Sequence, residues 1–257
     1  MPLHSLAPHL KQHDWTAVVV EVLVVVVGVF IGLQVSNWND DRKDAARGDE
    51  YLRRLHAELQ EDADSLQAIS GFWKQVYDNG MVAVEFAESG MLHEDSAWKT
   101  LLAYYQASQV WPYRKPDTVF QEIRSTGDLL LIRNQDLRAR ISRHYSGGAG
   151  SQVVEVLGLI PRYREDVRGM TPWKIQQYIW ANCWSSPSDD QQLMQDCGSP
   201  VSEADALAVL VQYRQSTELT RELRFWLANV NNGIGLMHQI ASDAEALAQD
   251  IRREQSR

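Results

Sequence analysis

The chain has 257 residues and a formal net charge of −9, from 25 Lys and Arg against 34 Asp and Glu. This balance argues against a nucleic-acid partner, because a phosphate backbone demands clustered basic side chains. Apolar content is ordinary at 44 %, and a single stretch near the N-terminus is long and apolar enough to cross a bilayer, which predicts a single-pass membrane protein.

A short arm, residues 1–14, carries His4, His9, His13 and Lys11. From Trp15 to Val35 the sequence is nearly unbroken Val, Leu and Ile, interrupted by Glu21, Gly28 and Gly32. About twenty such residues in helical rise match a hydrocarbon core of ~30 Å, so residues 15–38 are predicted to be a transmembrane helix. Trp15 and Trp38 are about 34 Å apart along such a helix and suit an aromatic belt at the two membrane interfaces. The run exits into Ser36-Asn37-Trp38-Asn39-Asp40. It lacks the A-x-A site and the short apolar core, about 7–15 residues, of a cleaved signal peptide. An uncleaved anchor is the expectation. Glu21, Gly28 and Gly32 fall within about 40° of one another on a helix. Gly28-x-x-x-Gly32 is a small-xxx-small face that lets helix backbones approach. An acid inside a span is costly and by default marks function. These three residues are therefore the candidate association face, against the plainer reading of an interfacial Glu that reaches water.

Beyond the span, residues 39–257 are expected to form one water-facing helical bundle. Leu52, Leu55, Leu59, Asp62, Leu66, Ile69, Trp73, Val76, Gly80 and Ala83 recur at steps of three and four, the seam of a packed bundle helix. No proline lies between Ala17 and Glu88, so the span is predicted to run directly into this helix, which ends near Gly90. Shorter helices are expected over Ser96 to Val110 and over Asp117 to Ser125, the latter closed by Gly127 in a left-handed C-cap. A third long helix is expected from Asn134 to Arg168, with Gly147-Gly148-Ala149-Gly150 as a hinge. Thr171-Pro172 begins another short helix, with Pro at its first position. From Ser202, a plausible N-cap, one helix of about 75 Å is predicted to reach Ile251. Its seam is Leu219, Leu223, Trp226, Val230, Gly233, Met237, Ile240, Ala244, Leu247 and Ile251. The two long seam-bearing helices should pair antiparallel. Strand signals are absent. The predicted fold is all-α: an N-terminal transmembrane helix continuing into an elongated antiparallel bundle of about four long helices.

Two stretches resemble a family. Glu21 through Asp40 (EVLVVVVGVFIGLQVSNWND) is similar to the pattern G-E-[apolar]-G-[apolar]-A-L-Q-I-N-N-W-N-E of a bacterial family of single-span membrane proteins of unknown function. Phe120 through Asn134 (FQEIRSTGDLLLIRN), followed by Leu137 and His144-Tyr145, looks like that family's F-x-x-L-x-S-x-G-x-L-x-L-I-x-N core. Together they cover about a fifth of the chain. Gly32 stands where the family usually has Ala, Val20 where it has Gly, and the N-terminus is less basic, which weakens the N-in orientation the resemblance implies. The resemblance brings a bacterial membrane architecture and no activity.

Orientation has two further signals. Arg42, Lys43, Arg47, Arg53 and Arg54 outnumber Lys11, but long domains translocate largely regardless of charge. Cys183 and Cys197 flank a polar loop, so a disulfide is the candidate pairing, in an oxidising compartment; two unrelated thiols are the alternative. A periplasmic bundle on a bacterial inner membrane, N-terminus inside, is the expectation.

Chemistry-bearing motifs are scarce. Trp173, Trp180 and Trp184, with Gln177 and Tyr178, put large rings on one short helix, either a core plug or ligand-facing aromatics. Arg133, Arg138, Arg140, Arg143, Arg162, Arg164 and Arg168 make the third helix basic. Pairing with Glu58, Glu61, Asp62 and Asp64 of the first helix is expected, ahead of an anion or lipid-headgroup site. The sequence has no H-E-x-x-H, Cys–His metal spacing, phosphate loop or G-x-S-x-G. A non-enzymatic protein with no cofactor and no metal is expected. Its partners would be the lipid bilayer, a second copy through the span, or another protein. The alternative is a ligand-sensing, receptor-like bundle without its own output domain.

Overall fold

The structure, a computed structural model, describes residues 15–147, 160–186, 192–193 and 196–256. The arm at residues 1–14, the hinge positions Gly148, Ala149 and Gly150, and most of the loop between the cysteines lie outside the described residues. The protein is all-α, and 82 % of the described residues are helical. The chain divides into two compact units, Met1–Tyr51 and Leu52–Arg257.

Helix α1 runs Trp15–Ser89 without a break. In the first unit its apolar stretch is bare: Val24 is 66 % exposed and Phe30 59 %. Near Asp40 the helix surface turns polar, with an Asp40–Lys43 ion pair at 3.2 Å.

In the second unit the pattern inverts. All ten seam positions from Leu52 to Ala83 are buried, and Leu55, Leu59, Leu66, Trp73 and Val76 are wholly so. Each such side chain contributes about 1.5–3 kcal/mol on leaving water. Across this seam lies α8, Thr217–Gln255, and the pairing is antiparallel. Glu88 bonds Arg224 at 2.7 Å, Trp73 meets the edge of Trp226 at 5.5 Å, Ser70 Oγ is 3.0 Å from His238 Nε2, and Gln67 reaches Glu245 at 2.8 Å. Gly80 permits the closest approach, since a Cβ there would lie 2.2 Å from Leu227 Cδ2.

The segments between fill the remaining sides of the core. Helix α2, Ala97–Gln106, has nine buried residues. Its N-terminal amides Ala97 N and Trp98 N donate to Glu203, which fastens it to α7, Glu203–Gln215. Helix α3, Thr118–Thr126, ends on Gly127 at φ +77°, the left-handed C-cap. Helices α4, Gln135–Tyr145, and α5, Arg162–Met170, follow. Tyr163 on α5 is fully buried and donates to Tyr104 O at 2.7 Å. Helix α6, Trp173–Asn182, completes the set.

Four expectations change. The helix expected from Ser202 to Ile251 is two helices. Ser216, at φ −84° and ψ 99°, ends α7 and caps α8 by accepting from Leu219 N. A serine side chain that satisfies a free amide competes with helix continuation. The helix expected from Asn134 to Arg168 is broken beyond its expected glycine hinge, since Pro161 is a non-helical N-cap: α4 ends at Tyr145 and α5 begins at Arg162, with residues 148–159 outside the described residues. Pro172 stands at the N-cap of α6 rather than its first position. Lastly, a two-residue antiparallel ladder exists, Trp184 opposite Leu193 and Ser185 opposite Gln192.

Candidate functional site

Three groups of residues in this fold carry more chemistry than packing requires. The first is the bare face of α1. Glu21 is exposed, and a Cβ built on Gly28 or Gly32 meets no atom within 4 Å. Trp15 and Trp38 are 79 % and 65 % exposed.

The second is a buried polar cluster, formed because Glu58 and Asp62 lie one turn apart on α1 and face inward together. Glu58 is 6 % exposed and Asp62 1 %. Glu58 accepts from Val119 N at 2.8 Å, so it caps the start of α3, where the side chain of Asp117 makes no cap. The Tyr113 hydroxyl donates to Asp62 Oδ1, and His144 Nε2 approaches Asp62 Oδ2 to 3.3 Å. Lys115 donates to His144 O and lies 5.5 Å from the centre of the Tyr145 ring, which stacks on Phe120 at 4.6 Å.

The electrostatics follow from burial. Loss of water pushes the Tyr113 hydroxyl well above its usual range, and Asp62 adds to the shift. Burial and then the charge of Glu58 do the same to Tyr145. Burial lowers Lys115, opposed by Asp62 and Asp117. Glu58 Oε1, Asp62 Oδ2 and His144 Nε2 have no aligned hydrogen bond. Among the described residues no three His, Cys, Asp or Glu side chains are placed to hold a metal ion. The arrangement is a fastening of α3 and α4 onto α1, rather than a constellation of nucleophile and base.

The third group surrounds α6. Cys183 and Cys197 are joined by a disulfide, with Cα atoms 5.3 Å apart. Gln106 donates to Cys183 O at 2.7 Å, and Trp98 Nε1 donates to Cys197 O at 3.1 Å, so both ends are held by α2. The tryptophans do not plug the core: Ile175, Ile179 and Cys183 take the inner face. Trp173 is 69 % exposed and Trp180 40 %, while Trp184 is half-buried with its ring centre 5.9 Å from that of Trp180.

For Arg138, Arg140, Arg164 and Arg168, the expected pairing with the acids of α1 is not what forms. Among the described residues, Arg140 pairs with Asp250 of α8 and Arg138 donates to Ile132 O at 3.0 Å. Arg164 and Arg168 are held by neutral groups of the turn after α2. The bidentate pair to Glu122 comes instead from Arg54 on α1. Sequence reasoning did not anticipate the roles of Tyr113 and Lys115. Its one available signal was Asp62, an acid standing in a row of leucines.

No protein-family model, curated protein or solved structure matches this chain.

Proposed function

We propose that this chain is a single-pass protein of a bacterial inner membrane whose helical bundle lies in the periplasm and acts by assembly or by contact with a partner, without enzymatic activity. The observation that carries this reading is the bare apolar stretch of α1, from Val18 to Val35, every large side chain of which is at least 41 % exposed. In water, fourteen such side chains on one helix would be untenable. A bilayer covers them, and the open surface at Gly28 and Gly32 suits a second copy's helix. The Cys183–Cys197 disulfide supports an oxidising compartment. The resemblance of Glu21–Asp40 to a bacterial single-span pattern agrees.

The receptor-like alternative draws on the exposure of Trp173 and, in part, of Trp180, whose open surfaces a ligand could cover. Crosslinking in native membranes separates the two. Assembly predicts dimers or higher species that Gly28→Leu diminishes. Monomer alone, unchanged by that substitution, would sink it.

A further inference from the structure

Arg164 and Arg168 lie one turn apart on α5, both partly buried. Arg164 Nη1 donates to Ser108 O at 2.5 Å and to Gln109 Oε1 at 3.5 Å. Arg168 donates from Nε to Ser108 Oγ at 3.2 Å and from Nη2 to Gln109 Oε1 at 2.8 Å. Its guanidinium also lies 4.9 Å from the Tyr105 ring centre and 5.3 Å from that of Trp180. Every one of these acceptors is neutral, and no carboxylate among the described residues pairs with either arginine. Two cations are thus fixed side by side with no counter-charge among the described residues.

Helix packing explains one edge of the pair, since these donors satisfy the turn that ends α2. It leaves the other edge unexplained. Arg164 Nε and Nη2 and Arg168 Nη1 have no acceptor among the described residues, and none of them is a buried orphan, so these donors reach solvent. Burial, and then the charge of Arg168, lower Arg164 to about 10. Guanidiniums already immobilised lose little further freedom on binding.

We propose that Arg164 and Arg168 form a binding site for a phosphate-type oxyanion, gripped by the free guanidinium edges beside the Trp180 ring. The charge-assisted, forked geometry favours phosphate over chloride or a single carboxylate. The phosphate comes either free in solution or from a lipid headgroup.

The test uses the full chain in phosphatidylcholine nanodiscs, titrated calorimetrically with inorganic phosphate and with soluble short-chain phosphatidylglycerol. Saturable phosphate binding that phosphatidylglycerol does not displace identifies the free anion; saturable phosphatidylglycerol binding identifies the headgroup. In either case R164Q/R168Q weakens binding at least about tenfold, the scale of one charge-assisted bond. R164K/R168K keeps the charge, loses the fork and falls between. Protection needs no variant: the bound anion abolishes phenylglyoxal modification of Arg164 and Arg168 in the native chain. Saturation by neither probe, wild-type affinity in R164Q/R168Q, or unprotected arginines at saturation would each overturn the proposal.

Discussion

Asp62 offers the sharpest test of the bundle's internal account. It is 1 % exposed, accepts from the Tyr113 hydroxyl and has His144 Nε2 at 3.3 Å. Asp62→Ala removes the charge that both neighbours face. It leaves the buried Tyr113 hydroxyl without its acceptor, which costs about 1–3 kcal/mol. Tyr113→Phe removes only a hydrogen bond to a charged acceptor, about 1.5–3 kcal/mol. The double variant no longer strands the Tyr113 hydroxyl, so its loss falls short of the sum by about 1 kcal/mol or more. Urea unfolding of the full chain in detergent, followed by tryptophan fluorescence, measures all three; Trp73 and Trp226 sit in the core and report its loss. Additivity within about 0.5 kcal/mol would refute the claim that Asp62 and Tyr113 act as one unit.

Three further outcomes are expected. Maleimide applied to intact cells labels Cys183 and Cys197 only after a membrane-permeant reductant; labelling without reductant, and only once the inner membrane is breached, would remove the periplasmic placement. Gly80→Val drives a branched side chain into Leu227, which a Cβ alone would already meet at 2.2 Å, and costs about 1–3 kcal/mol of overpacking in the same urea assay. Burial raises the hydroxyls of Tyr163 and Tyr213 above the ordinary value of 10.0. The unfolded chain therefore loses these protons first, and stability falls as pH rises past about 10. The slope is about 1.4 kcal/mol per pH unit for each tyrosine, and a flat denaturation midpoint between pH 9 and 11 would contradict it.

What was legible in the sequence follows from what periodicity encodes. Steps of three and four from Leu52 to Ala83 name the buried face of α1 position by position. The same rule works for α8, except that Ile240 is half-buried and Ala241 takes the inner place. The break at Ser216 escaped this reasoning because α7 is apolar on both sides. Ala206 and Leu210 face in, while Leu207 and Val211 face out, so no stripe marked where one helix stopped and another began. The two-residue ladder is too short for any alternation and is tied down beside the disulfide instead.

The polar cluster shows the same boundary. Asp62 in a leucine seam announces a buried partner, but the partner lies 51 residues away in sequence. Only packing brings Tyr113 and His144 to it. Charge sign misled for a related reason. The arginines after Asn134 are basic as a block, yet each pairs by its own position on the helix. Arg140 turns to α8, and Arg164 and Arg168 turn to neutral groups after α2.

The most direct measurement of the central claim is disulfide crosslinking through single cysteines placed along the span, in native membranes, with the Cys183–Cys197 pair left bonded. The account predicts symmetric dimers for Gly28→Cys and Gly32→Cys and none for Val26→Cys, which lies on the opposite side of the helix. Monomer at all three positions, or equal crosslinking at all three, would contradict assembly through this face.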